Sequence, residues 1–317
     1  MNTKRFAWYA WGVAAYNLLV ILWGAFVRAT GSGAGCGNHW PLCTGELIPR
    51  SSQIQTIIEL SHRGSTGLLL FAVAGLLIGA FRLYPAGHPV RQGAVLSIFF
   101  LLMEAALGAG LVLFEYVANN ISVARAWWVG THLINTFFLV AVLTLTAWWA
   151  AGGKRVQWRG QGVVGWALWL AGIGMMILGA SGAVIAMGDT LVLGAGIAPE
   201  SSPVLAQIIG LRVYHPILAF AVGVLLALAV WLANYWRPSA ETRKFTRWLA
   251  VAFIAQLLLG ALNVALQAPI WLQLVHLLNA DLIWMAFVLL TAAALGQPVI
   301  VGREKEINRI ELTSPAR

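Results

Sequence analysis

The sequence predicts an all-α membrane protein: eight transmembrane helices arranged as two parallel-repeat four-helix bundles, with N- and C-termini cytoplasmic. Three observations predict it. Of the 317 residues 60% are hydrophobic and only 10% charged, at a mean hydropathy of +0.80, which is too little charge to cover a soluble surface. Eight apolar runs are each near or above the ~20 residues that cross ~30 Å of hydrocarbon. The motifs of the first four runs recur in the last four.

The first run, 7–27, follows Lys4 and Arg5 as a signal peptide would. Its apolar stretch is longer than an h-region of about 7–15 residues, so it reads as a helix. The others cover 56–82, 92–114, 127–150, 163–187, 207–236, 246–267 and 271–295. In lipid every backbone polar group must be satisfied within the segment, which selects helices over open sheets. The 16 tryptophans suit interfacial belts. With the N-terminus inside, only Arg28, Arg50, Arg63, Arg125 and Arg212 of the 20 Lys and Arg fall outside, a strong positive-inside asymmetry. The net charge of +9 raises the question of nucleic acid, but the basic residues sit in short loops between apolar runs. They read as topogenic, the partner surface being the lipid bilayer of the cell membrane and no nucleic acid.

Both cysteines, Cys36 and Cys43, lie in "CGNHWPLC" within the external loop 28–55. An oxidising compartment makes a disulfide the expected state. Zinc is the alternative, and it wants more ligands than His39 alone supplies locally. Whether such a bond only staples the loop or also exchanges electrons stays open.

The chain divides into an N-terminal repeat, 1–150, a C-terminal repeat, 151–297, and a polar cytoplasmic tail, 298–317. "THLINTFF" in the fourth run matches "VHLLNADL" in the eighth, pairing His132 and Asn135 with His276 and Asn279. "MEAALGAGLVL" matches "AQLLLGALNVAL", aligning Glu104 with Gln256 and Gly108 with Gly260. His62 pairs with His215, and Gly24-Ala25 with Gly179-Ala180. An even number of spans returns the chain to the same side, so the repeats are parallel. They have diverged: the cysteine loop has no counterpart near 188–206, and Glu59, three before His62, becomes Arg212, three before His215.

Of the six histidines, His88 sits in an inner loop between Pro85 and Pro89 and reads as solvated, and His39 is in the outer loop. His62, His132, His215 and His276 fall about one or two turns inside the outer ends of the even helices. Any one could be an interfacial histidine bonding a carbonyl; four at matching depth point to function. Two on separate helices can ligate both faces of a haem, giving one haem per repeat. Zinc would want three or four converging ligands, whereas these pairs belong to separate repeats. Arg28, Arg63, Arg125 and Arg212 could pair with propionates or simply contact headgroups. The small residues of the odd helices could admit a flat ligand or serve ordinary helix packing. Glu59 shares a helix face with His62 and is a candidate proton acceptor or counter-charge, against the plainer reading of an acid at a helix N-terminus. Glu104 and Asp281 read as bundle-internal hydrogen-bonding groups.

Eight spans, a duplicated four-helix unit, histidines on the even helices, "ELSHR" at the second and a paired-cysteine loop around Trp-Pro together resemble the haem A synthase family, over about residues 7–295. The resemblance implies an oxidoreductase that converts a methyl group of haem O to the formyl group of haem A for terminal oxidase biogenesis. It implies His215 and His276 as axial ligands of a haem b cofactor, His62 and His132 as ligands of the substrate haem O, and Glu59 as a catalytic acid. It also implies a Cys36–Cys43 disulfide, and as partners the haem O synthase and an electron-transfer protein. The alternative is a di-haem cytochrome b-type electron-transfer protein, which the Glu59/Arg212 asymmetry and the one-sided cysteine loop disfavour. A transporter is a third class, disfavoured because the polar groups cluster at one face.

Overall fold

The computed structural model describes residues 2–50 and 53–296. The polar tail 298–317 lies outside the described residues. Among the described residues eight helices are long and apolar enough to cross a membrane: α1 Thr3–Ala29, α2 Ile54–Leu83, α3 Pro89–Leu113, α4 Val123–Ala150, α5 Gly162–Asp189, α6 Pro203–Trp236, α7 Ala240–Ala265 and α8 Ile270–Leu295. Among the described residues the fold is all-helical apart from an isolated bridge between Cys43 and Glu46.

Several helices begin before their apolar run because polar caps start them. Ser122 accepts from the Arg125 N–H and starts α4 at Val123, and Ser239 accepts from Thr242 N and starts α7 at Ala240. Pro203, whose missing N–H is harmless in a first turn, opens α6. His132 and His215 consequently sit about two and a half to three turns inside α4 and α6, deeper than the apolar runs suggest, while His62 and His276 lie about two turns inside α2 and α8. His88 is likewise not merely solvated. Its Nδ1 accepts from Val90 N at 3.2 Å and caps α3.

Helices α1 to α4 pack in a closed ring, each against the next and α4 against α1. Helices α5 to α8 repeat that order, more openly, with α6 barely meeting α7 and α5 barely meeting α8. The rings share a wall in which α4 packs on α5 and α8, and α1 on α8. Trp284 Nε1 donates to the Phe137 carbonyl at 2.7 Å across that wall. Matching turns end α3 and α7. Glu115 and Gln267 both take φ 57°, and Tyr116 N donates to Leu111 O as Ala268 N donates to Asn263 O.

The buried cores gather toward the side that carries the N-terminus. In the first ring the core includes Phe6, Ala10, Leu76, Val90 and Leu143; in the second, Leu168, Leu226, Phe245 and Leu290. Toward the side that carries the cysteine loop, the histidine rings are only half-buried. Apolar side chains such as Trp8, Phe71, Phe220 and Val251 face outward, as lipid-facing residues must.

Candidate functional site

Each even helix presents its histidine to a glycine on the preceding odd helix. A Cβ on Gly24 would lie 3.0 Å from His62 Cε1, and one on Gly182 would lie 3.1 Å from His215 Cε1. Gly108 and Gly260 stand in the same relation to His132 and His276, at 3.8 and 3.4 Å. The glycine equivalent to Gly24 is therefore Gly182, not Gly179. Gly179 packs against Phe137 and Leu133 at the shared wall. Small-residue spacing on one helix face repeats every turn, so a one-turn slip is easily made from sequence.

His62 and His132 lie within electrostatic reach of one another, and so do His215 and His276. Among the described residues, Nδ1 of His62, His132 and His276 is buried without a hydrogen-bond partner. His215 differs: its Nδ1 meets Ser181 Oγ at 2.9 Å. These observations fit a planar iron porphyrin in each ring. The donor set is two imidazoles, the odd helices are cut back to glycine where each imidazole lies, and the apolar core stops short of them. Among the described residues no group of three or more His, Cys, Asp or Glu gathers to hold a bare metal ion, in keeping with paired rather than clustered ligands.

The loop between α1 and α2 is strapped to α2. Cys36 and Cys43 form a disulfide, with Cα atoms 4.4 Å apart. Thr44 N donates to Cys36 O at 3.0 Å, and Thr56 Oγ1 to Gly35 O at 2.7 Å. Glu59, 3% exposed, accepts the Cys36 N–H at 2.8 Å on one carboxylate oxygen and pairs with Arg63 at 2.5 Å through the other. Arg63 in turn donates to the carbonyls of His39 and Leu42, both at 2.7 Å. The i, i+3 spacing puts Glu59 on the same helix face as His62. The structure turns it to the loop, because Arg63 at i+4 and the disulfide turn supply donors.

The other arginines also have protein partners. Arg125 donates to Ala118 O and Asn120 O at 2.7 and 2.8 Å, closing the α3–α4 turn. Arg212 pairs with Asp189 at the end of α5. Arg28 leaves α1 and crosses to the second ring, donating to Ala186 O, to Thr190 Oγ1 at 2.8 Å and to Gln273 Oε1 at 3.2 Å. Thr190 opens a π-helical turn, Thr190–Gly194, a form common at functional sites.

Glu104 proves to be a bundle-internal acceptor. Asn135 Nδ2 donates to it at 2.6 Å and Thr136 Oγ1 at 2.5 Å, and His132 Nε2 lies 3.5 Å away. Asp281 does not behave this way. It is 0% exposed in mid-α8 with both carboxylate oxygens unpaired among the described residues.

Comparison with known proteins places this geometry. The family described as COX15-CtaA, cytochrome oxidase assembly protein, matches residues 7–288. A Thermus thermophilus protein named protoheme IX farnesyltransferase is 48% identical over 314 residues, covering 98% of this chain and 50% of that protein. The chain thus spans about half the length of that curated relative. Proteins named heme A synthase match shorter stretches. That of Staphylococcus haemolyticus is 41% identical over 114 residues, 36% of this chain and 38% of that protein. That of Bacillus cereus (strain AH187) is 44% identical over 95 residues, 30% of each. The chain, a multi-pass helical membrane protein, belongs to the COX15-CtaA family of cytochrome oxidase assembly proteins.

Proposed function

We propose that this chain is a haem A synthase, an oxidoreductase that converts a methyl group of haem O to the formyl group of haem A. The observation that carries the reading is the pair of histidines in each ring, within electrostatic reach of one another and each backed by a glycine, all on the side of the cysteine loop. That side is the outer one, and the N-terminus is cytoplasmic, on the charge asymmetry of the loops. The two halves, 1–150 and 151–297, divide substrate from cofactor.

His215 and His276 hold haem b, which when bound supplies one-electron redox chemistry. Ser181 fixes the ring of His215 by its contact with Nδ1, the kind of brace that steadies a ligating imidazole. His62 and His132 hold the iron of haem O. Glu59 serves the substrate half as proton acceptor or counter-charge, and its ion pair with Arg63 and the Cys36 N–H keep it one turn from His62. Arg28 ties the substrate helix α1 to the cofactor half through Thr190 and Gln273, holding the two sites in fixed relation. The name of the Thermus protein, protoheme IX farnesyltransferase, and its length of about twice the matched stretch support a haem O synthase as partner.

Pigment extraction from the purified protein tests the reading. Haem O or haem A beside haem b is expected. Protohaem alone, from cells that make haem O, would return the chain to the di-haem cytochrome b class.

A further inference from the structure

The two halves treat their second histidine differently. In α3 the Glu104 carboxylate accepts from Asn135 Nδ2 at 2.6 Å and Thr136 Oγ1 at 2.5 Å, and one of its oxygens lies 3.5 Å from His132 Nε2. At the corresponding place in α7 stands Gln256. Its Oε1 accepts from Asn279 Nδ2 at 2.7 Å, and its Nε2 donates to the backbone carbonyl of His276 at 3.1 Å. Both ends of the amide are engaged, and neither bond involves the His276 imidazole. The asparagine anchor is thus kept in both halves, and what changes is an acceptor placed beside the distal ring nitrogen.

That nitrogen is the one an iron would take, since His132 Nδ1 is buried. An imidazole that ligates through Nε2 carries its proton on Nδ1; one released from iron can carry it on Nε2 and donate it to a neighbour. A carboxylate has about four acceptor positions, so Glu104 can keep Asn135 and Thr136 while receiving His132. An uncharged amide whose oxygen already serves Asn279 offers no such alternative.

We propose that Glu104 is a positioning residue that competes with iron for His132 Nε2 and so makes the haem of the N-terminal half exchangeable, whereas Gln256 leaves His276 to hold its haem lastingly. The inference rests on the ligand roles proposed above. An enzyme whose substrate and product are both haems needs one half that lets go. A charge-assisted hydrogen bond to the released ring shifts the balance by about ten- to a hundredfold.

Haem transfer tests it. The full-length protein is loaded with iron protoporphyrin IX, which serves as the probe in both halves, and mixed with excess apomyoglobin. Loss of haem is followed by absorbance, with a fast phase expected from the N-terminal half and a slow one from the other. Glu104→Gln should slow the fast phase by about tenfold or more and leave the slow phase alone. Gln256→Glu should hasten the slow phase. An unchanged or faster fast phase in Glu104→Gln overturns the inference. If that variant cannot be purified, an unchanged slow phase in Gln256→Glu overturns it equally. His132→Ala separates the two levels of argument. If it removes the fast phase while Glu104→Gln does not alter it, the competition fails and the ligand assignment stands; if it leaves both phases intact, the ligand assignment fails and takes the inference with it.

Discussion

The N-terminal ring is closed, α1 against α4, and two polar side chains of α2 reach outward to a strapped loop: Glu59 to Cys36, Arg63 to His39 and Leu42. The C-terminal ring is open between α6 and α7, and a polar side chain there turns inward, Ser181 to the ring of His215. Both rings place two histidines opposite two glycines. The histidine geometry is common to the halves, while the surroundings differ in what they are anchored to. On the function proposed above, the half with Ser181 on its histidine is the one that keeps a cofactor, and the half whose acid and base are tied to a loop beside the site is the one that turns over.

The sharpest way to break this comparison is to delete ligands from one half at a time. His215→Ala and His276→Ala should each abolish the tightly held low-spin haem b spectrum. His62→Ala and His132→Ala should keep that spectrum and yield no haem A. Equal spectra from all four variants would erase the division of labour. Next in size is Glu59→Gln, which keeps the side chain's shape and removes its charge. It should retain haem b, accumulate haem O and lose about 10²–10⁴ in rate, the usual worth of acid–base help. Arg212→Gln, at the equivalent place, should change haem A yield far less. Haem chromatography of expressing cells reads both, and wild-type haem A in Glu59→Gln would reduce the acid to a loop strap.

Replacing both cysteines by serine should come third, lowering haem A yield more than haem b content, because the hydrogen bonds of the loop they close run to Glu59, Arg63 and Thr56 of the N-terminal half. Parallel losses of the two pigments would contradict this. The glycines sharpen the comparison within each ring. Gly24→Ala and Gly182→Ala force a methyl against an imidazole at 3.0 and 3.1 Å, and overpacking of this kind costs about 1–3 kcal/mol. Gly108→Ala and Gly260→Ala, with 3.8 and 3.4 Å, should be milder. Spectral titration with haem would show the order, and the reverse order would mean that the rings pivot away from these glycines. The smallest effect is expected from Ser181→Ala, which deletes one hydrogen bond to His215 worth about 0.5–1.5 kcal/mol. It should shift the haem b midpoint potential without loss of haem.

Hydropathy exposed all eight spans because lipid imposes length and apolarity on each of them. The four histidines stood out because ionisable groups are rare in such runs. What the one-dimensional pattern could not carry was side-chain direction at loops and across the shared wall. Glu59 and His62 share a face, yet the carboxylate follows Arg63 and the Cys36 N–H, and the second of these donors exists only once the disulfide loop folds back. Arg28 finds its partners 158 to 245 residues away. Glu104 was visible as an acid aligned with Gln256, but its nearness to His132 required the packing of α3 on α4. The deeper seating of His132 and His215 followed from the Ser122 cap and from Pro203, which lie outside the apolar runs and start the helices early.

The hydrogen bond from Trp284 to the Phe137 carbonyl has a consequence for dissecting the protein. In water, two halves cohere because separating them bares apolar surface. In a bilayer that cost vanishes, since acyl chains solvate leucine as well as leucine does. The penalty for a solitary half is instead an indole N–H from α8 left in hydrocarbon without its acceptor, costing several kcal/mol, and a guanidinium from α1 left at the membrane surface without its partners in the other half. A chain severed in the α4–α5 linker and expressed as two fragments should therefore find itself again in the membrane, drawn by a few stranded donors.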